Sequence, residues 1–489
     1  MNKYQALCVT LLFFAVQLVQ AQSKPDWNNV FSSINQEVLT HSQAYASLKE
    51  ATETIGHRLT GSANGAKAEA YAYQLLKAAG FKNLRYQPFE VESWSRGNIS
   101  VAIGSDTNHL LPIKSVSLAH SPVQSNISNE VVDMGNGLEE DYLANPGKVK
   151  GKIALVYLGV VAGSKPGTGT LHRSEKAAIA TKYGAIGFIL INTADGGILL
   201  TGTASVTGKL IPIPAICISK EQGMKLREDL KAGKLFAHIK MNNFSGMIKA
   251  RNVVATIPGK TLPNEKIVVG GHLDSWDLAT GAIDNGIGSF AVLDMARTFA
   301  ALKLQPARTV EFVLFMGEEE GLLGSKAYVN AAIKDKSIGQ LRYMLNYDMT
   351  NDPKGYSTTD EGSKGLFQSI GAIAQSLDSS FKNQFSSGAG LHSDHQPFML
   401  QGVPTGGAAG GKLPNNSGPC YHADCDVFSL VDKRGMENTV RFNAMLLYGI
   451  ADTKEITAKH LSDSETKAFM LKSNLKEPLQ IAGEWRWKD

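Results

Sequence analysis

KIVVGGHLDSWDLATGAIDNGIGSFAVLDMARTFAAL, residues 266–302, is the stretch that decides the fold. Residues 266–270 form a short apolar strand, and 286–302 have the period of a helix, with Val292, Met295, Ala296 and Phe299 on one face. Between them runs a Gly-rich loop that carries His272, Asp274 and Asp284. Working outward, 309–315 and 341–347 are further apolar strands, and 431–450 is a long helix near the end of the chain. Apolar strands alternating with helices predict an α/β class protein, an α/β/α sandwich on a mainly parallel sheet.

Upstream, residues 27–76 have a helical texture, with helix formers at 43–51 and 66–79 and a stop at Gly80. A polar loop, 56–62, interrupts them, and 85–93 reads as a strand. From 112 to 243 the pattern becomes short strands (152–158, 187–191, 211–218) joined by turns and helices (175–183, 221–231). That is the size of a separate domain. The expected organisation is therefore an inserted, mainly β/α domain at 112–247 and a catalytic domain made of 22–111 and 248–489.

The 489 residues are 43% hydrophobic and 19% charged, enough apolar material for a core and too little charge for disorder. Forty-nine Lys and Arg against forty-five Asp and Glu give +4 without a dense basic block, so nucleic acid is not an expected partner. Residues 1–21 have one Lys at position 3, an apolar run from Ala6 to Val16 broken by Thr10, and Val19-Gln20-Ala21. This is the form of a removed secretory signal peptide, which places the mature chain in a secreted or periplasmic setting with no membrane span. In an oxidising compartment Cys420 and Cys425 are close enough to pair, leaving Cys217 free in an apolar run.

Three expected strand ends finish in acid- or His-rich loops: 271–275, 317–321 and 346–348. Open α/β sheets bind ligands at the carboxyl ends of their strands. Asp284 follows His272 by twelve residues at a helix start, and His422 precedes the last long helix. Two imidazoles and three carboxylates suit two divalent ions with one bridging carboxylate, metals about 3.5–4 Å apart. Such a site holds a hydroxide between the metals and polarises a carbonyl, which hydrolyses an amide without a covalent intermediate. An unligated Glu beside a ligating one serves as base and acid. Asp274 is placed to accept the second N–H of the His272 ring. No G-x-S-x-G elbow is present and no Cys sits in a nucleophile motif. The 48 glycines, against roughly 34 expected at about 7%, cluster partly around these loops, as at Gly270, Gly271, Gly281, Gly286, Gly317 and Gly321.

Together, His272-Leu273-Asp274-Ser275, Asp284-Asn285-Gly286, Gly317-Glu318-Glu319-Glu320-Gly321, Asn346-Tyr347-Asp348 and Tyr421-His422 resemble the dinuclear zinc aminopeptidase and carboxypeptidase family. The string GGHLDSWDLATGAIDNGIG is most like its plasma glutamate carboxypeptidase (carboxypeptidase Q) branch, and the insertion resembles that family's protease-associated (PA) domain. The resemblance implies two Zn2+ ions. Asp284 bridges them, His272 and Asp348 complete one, Glu319 and His422 complete the other, and Glu318 is the general base. It also implies a cis peptide bond between Asp284 and Asn285. Where members often have Thr, Val427 follows Asp426, with little expected effect on the ligands.

The resulting expectation is a zinc-dependent metallo-exopeptidase acting on dipeptides or peptide termini, with aminopeptidase, dipeptidase and carboxypeptidase specificity left open. The competing readings are a glutaminyl cyclase, which needs one zinc, and a non-catalytic receptor on the same fold. A homodimer is allowed. His392, Ser393, Asp394 and His395 are expected in a pocket wall or in structural hydrogen bonds, Tyr421 in packing, and His57, His120 and His172 at the surface or in the core. The inserted domain carries no comparable acid and His set, so a lid, specificity or partner role is expected of it.

Overall fold

The computed structural model describes residues 27–488; the expected signal peptide lies outside the described residues. Every described strand joins one fourteen-stranded sheet. At one end, Leu262–His272 lies between Arg308–Phe315 and Leu341–Asn346, parallel to both, and Thr405–Ala409 continues beyond the latter, again parallel. Gly355–Thr358 and Gln384–Ser387 finish that edge.

Successive side chains of a strand face opposite sides of a sheet, and here both sides are dry. Ile267 and Val269 join Phe290, Met295, Phe299 and Leu447 in one cluster, whereas Val268, Val313 and Phe315 join Tyr328 and Phe398 in another. The helices Ile287–Ala301 and Lys433–Asp452 cover the first face, and Leu323–Lys334 covers the second. Burial on both faces explains why these strands are continuous apolar runs, and the expected α/β/α arrangement is found.

Five of the remaining strands belong to the inserted part. Gln124–Asp133, Ile153–Tyr157, Gly187–Ile191 and Ala215–Ile218 run side by side in parallel, with Ser115–Ser117 antiparallel at the edge. One structural feature differs from the sequence expectation. Leu235–Ile257 is a single long strand that pairs with Gln124–Asp133 near its start and with Arg308–Phe315 near its end. Leu84–Gly104, longer than the 85–93 run, lies antiparallel along nearly its whole length. This ribbon carries the sheet from one part into the other, and position 247/248 falls inside it. Its alternating polar residues face solvent on one side, which is why no apolar run marks its extent.

Candidate metal centre

The three parallel strands deliver their side chains to one edge. His272 is the last residue of Leu262–His272 and is buried; Glu318 and Glu319 follow Arg308–Phe315 after a turn at Gly317 with φ +76°; Asp348 follows Leu341–Asn346. Asp284 enters from the tight segment Ala282–Gly286 ahead of helix Ile287–Ala301, where the Asp284–Asn285 peptide bond is cis, as the resemblance implied. His422 comes from a loop closed by a disulfide between Cys420 and Cys425, while Cys217 is free and buried.

Asp284 stands at the centre. Its Oδ1 is 3.3 Å from His272 Nε2, and its Oδ2 is 3.0 Å from His422 Nε2. The same Nε2 of His272 meets Asp348 Oδ1 at 3.3 Å, and His422 Nε2 meets Glu319 Oε2 at 3.0 Å. The five expected ligands thus form two sets that share one carboxylate. Two donors about 2.0–2.2 Å from a tetrahedral zinc stand about 3.3–3.6 Å apart. The His272 set has that spacing already, and the His422 set needs to open by a few tenths of an ångström. Among the described residues, His272, Asp284 and Glu319 offer ligand atoms that all lie within 4.8 Å of one another. One Glu319 oxygen is buried without a partner, a donor position a cation would satisfy.

The charge balance points the same way. Burial pushes the Glu319 carboxyl up to about 7. Withdrawal from solvent also carries Glu318 well above its ordinary 4.5. Burial opposes charge on both imidazoles, but Glu318 and Asp348 hold His272 well above 6.5, and Glu319 holds His422 above it. Burial would raise Asp284 too; hydrogen bonds from His272 and His422 outweigh it and hold that carboxyl below its ordinary range. Without a cation, protons gather on the donors that a cation would otherwise neutralise.

The consecutive glutamates divide by geometry. Glu319 pairs with His422; Glu318 forms no ion pair among the described residues and opens half-buried to the pocket; Glu320 is fully buried with both carboxylate oxygens unpartnered. Asp274 meets the other nitrogen of the His272 ring with both its main chain and its side chain. The His272 Nδ1–H donates to the main-chain carbonyl of Asp274 at 3.1 Å, whereas the Asp274 carboxylate is 3.7 Å from that nitrogen. That carboxylate also accepts the main-chain N–H groups of Glu318 at 3.3 Å and Glu319 at 3.4 Å. The turn at Gly317 aims both amides at it, so Asp274 ties the glutamate loop to the histidine. Donation from Nδ1 leaves Nε2 as the lone-pair nitrogen in the neutral ring, the state a metal ligand needs.

Two supporting groups, Asp426 and Arg58, escaped the sequence reading, and a third, Ser393, makes the structural hydrogen bonds expected of its segment. Asp426, noted only for the residue after it, accepts the main-chain N–H groups of Ile283 at 2.7 Å and Asp284 at 3.0 Å. Arg58 from the 56–62 loop is fully buried and donates to the carbonyls of Leu273, Thr280 and Gly281, clamping the segment between His272 and Asp284. Ser393 donates to Asp348 Oδ2 at 2.7 Å and accepts from Asn346.

The pocket in front of the acids is lined from three parts of the chain. His392 and Tyr421 are there, and so are His172, Arg173 and Glu175 from the inserted part, with Leu479 and Glu484 from the C-terminal segment. The rings of His172 and His392 stack with centroids 4.6 Å apart. His172 was expected at the surface or in the core; it sits at a helix start with Glu175 three residues on, a pattern that reads as capping alone. No helix among the described residues is long and apolar enough to cross a membrane.

Residues 252–447 match the model of peptidase family M28, and residues 126–226 match that of the PA domain. Carboxypeptidase Q of Mus musculus is 27% identical over 427 residues, covering 85% of this chain and 87% of that protein. Leucine aminopeptidase 2 of Trichophyton rubrum is 29% identical over 349 residues, covering 69% of this chain and 65% of that protein. Among solved structures, an aminopeptidase from Aneurinibacillus sp. strain AM-1 superposes with a TM-score of 0.65 at 26% identity, covering 88% of this chain and 98% of that one. A peptidase M28 precursor from Shewanella amazonensis, 22% identical over 89% of this chain and 98% of that one, shares the fold with a TM-score of 0.75.

Proposed function

From the premise that the chain is a zinc-dependent metallo-exopeptidase of family M28 with an inserted PA domain, homologous to carboxypeptidase Q, we propose that it binds two ions at the five residues above and uses Glu318 as its proton carrier. His272 and Asp348 would hold one ion and His422 and Glu319 the other, with the Asp284 carboxylate shared between them. Zinc suits this set of two imidazoles and three carboxylates; when bound, such ions lower the pKa of water and polarise a carbonyl. The observation that carries the reading is the central Asp284 carboxylate, with one oxygen 3.3 Å from His272 Nε2 and the other 3.0 Å from His422 Nε2.

Glu318 does the work no ligand can do. It faces the pocket without an ion pair, and its raised proton affinity suits a group that takes a proton from water and returns it to the departing amine. Asp274 holds the Glu318 and Glu319 amides in place, Asp426 and Arg58 fix the Asp284 segment, and Ser393 orients Asp348. The catalytic domain is assigned to 22–111 and 248–489 and the inserted domain to 112–247, the long ribbon joining them. The chain acts outside the cytoplasm after loss of residues 1–21, a setting in which the Cys420–Cys425 disulfide persists.

The test is Glu318→Gln in the zinc-loaded protein. Peptide hydrolysis should fall by about 10²-fold or more with zinc content kept. Full turnover in that variant would remove Glu318 from its role.

A further inference from the structure

The pocket holds one cation that the zinc site does not explain. Arg173 opens helix Arg173–Lys182 of the inserted part and is 3% exposed. Its Nε is buried without a hydrogen-bond partner, and among the described residues no carboxylate pairs with its guanidinium. Lys326, the other permanent cation of the pocket lining, is already neutralised by Glu484 at 2.7 Å. Burial holds His172 well below its ordinary 6.5 and brings His392 down to about 4, so both rings are neutral near pH 7.

The chain is built around this guanidinium. Gly202 has φ +127°, and a Cβ there would stand 2.1 Å from Nε and Nη2 of Arg173, so the planar group lies against bare backbone. On another side it faces the Tyr421 phenol, next to His422. Burying a charge with only a neutral phenol beside it and no counter-charge is costly, and a charge kept in that state within a ligand pocket invites an opposite charge from the ligand. A guanidinium is the side chain best shaped to take a carboxylate through two parallel hydrogen bonds.

The pocket is also walled by the C-terminal segment. Leu479, in helix Lys476–Ile481, is fully buried against Met399, Leu400 and Met470. Glu484 is held by Lys326 and by Gln396, whose Nε2 donates to it at 2.7 Å. Both residues line the same pocket as Arg173 and the zinc-site acids.

Resting on the exopeptidase reading, we propose that Arg173 binds the terminal carboxylate of the substrate, so that the enzyme takes dipeptides or the carboxyl end of short peptides. A carboxylate on Arg173, with the neighbouring amide at the acids, fixes which bond is cut. The aminopeptidase alternative puts no anion there.

The test compares kcat/KM of the zinc-loaded full chain on Ala-Leu, its amide Ala-Leu-NH2 and Ala-Glu-NH2, in wild type, Arg173→Met and Arg173→Lys. Wild type should favour the free dipeptide over its amide by about 10- to 100-fold, the usual worth of a charged hydrogen-bonded contact. In Arg173→Met that ratio should fall toward one, and Arg173→Lys should restore part of it. A ratio near one in wild type, or a ratio untouched by Arg173→Met in a protein that melts normally, would overturn the inference. Cleavage of Ala-Glu-NH2 as fast as Ala-Leu would also overturn it, because the carboxylate read would then be a side chain's. Turnover of none of these peptides, nor of aminoacyl chromogens, would overturn the exopeptidase reading itself.

Discussion

Replacing Asp426 with Ala should weaken zinc binding by a residue that touches no zinc ligand side chain. Its carboxylate accepts the main-chain N–H groups of Ile283 and Asp284 at 2.7 and 3.0 Å and is almost fully buried. Removing it leaves two buried donors without acceptors, about 1–3 kcal/mol each. Water entering the space recovers part of this, so a loss near 2 kcal/mol of stability is expected. The second consequence is positional: those amides fix the backbone from which Asp284 reaches both imidazoles. Supporting groups of this kind are worth about 10- to 100-fold in metal affinity. Asp426→Asn keeps one acceptor oxygen but turns an amide N–H toward a main-chain N–H, so it should fall between Asp426→Ala and wild type. Competition with a chromogenic chelator measures the affinity, and a thermal melt of the zinc-free protein separates the two effects. If Asp426→Ala melts early yet binds zinc within twofold of wild type, Asp426 serves the fold alone.

The zinc-free protein should lose stability as pH rises. Glu319 moves from 4.5 to about 7, and His272 and His422 are raised from 6.5; groups raised by folding contribute stability fully below their unfolded values and lose it as pH climbs through the folded ones. The melting midpoint of the chelated protein should therefore drop across about pH 4.5 to 7 and above, while zinc, which needs deprotonated donors, reverses the trend; parallel scanning calorimetry of both forms checks it. Ser393→Ala removes a 2.7 Å hydrogen bond to Asp348 and should weaken zinc binding about tenfold, measured by chelator competition. The double variant Cys420→Ser, Cys425→Ser opens the short loop that carries His422; it should cost about 2 kcal/mol in a denaturant titration and leave less zinc after dialysis.

Much of the centre was legible because it stands where the sheet chemistry changes. Runs such as 266–270 and 309–315 are apolar on both faces, so the polar residues that end them are conspicuous. Their partition into ligands and base rested on resemblance, and geometry then separated Glu318 from Glu319. What stayed hidden depends on contacts distant in sequence. Asp426 meets Asp284 from 142 residues away, and Arg58 meets Thr280 from 222. Arg173 looks like an ordinary helix-opening residue until the fold brings Gly202 and Tyr421 against it. The ribbon of Leu84–Gly104 and Leu235–Ile257 was obscured for another reason: a half-solvated strand alternates polar and apolar residues, so nothing in its texture marks where it passes between the two parts of the chain.

Zinc-edge anomalous diffraction from crystals of the zinc-loaded protein tests the central claim most directly. Two peaks should appear about 3.5–4 Å apart, one between His272 and Asp348 and one between Glu319 and His422, with Asp284 between them. A single peak, or two that do not share Asp284, would contradict the two-metal account.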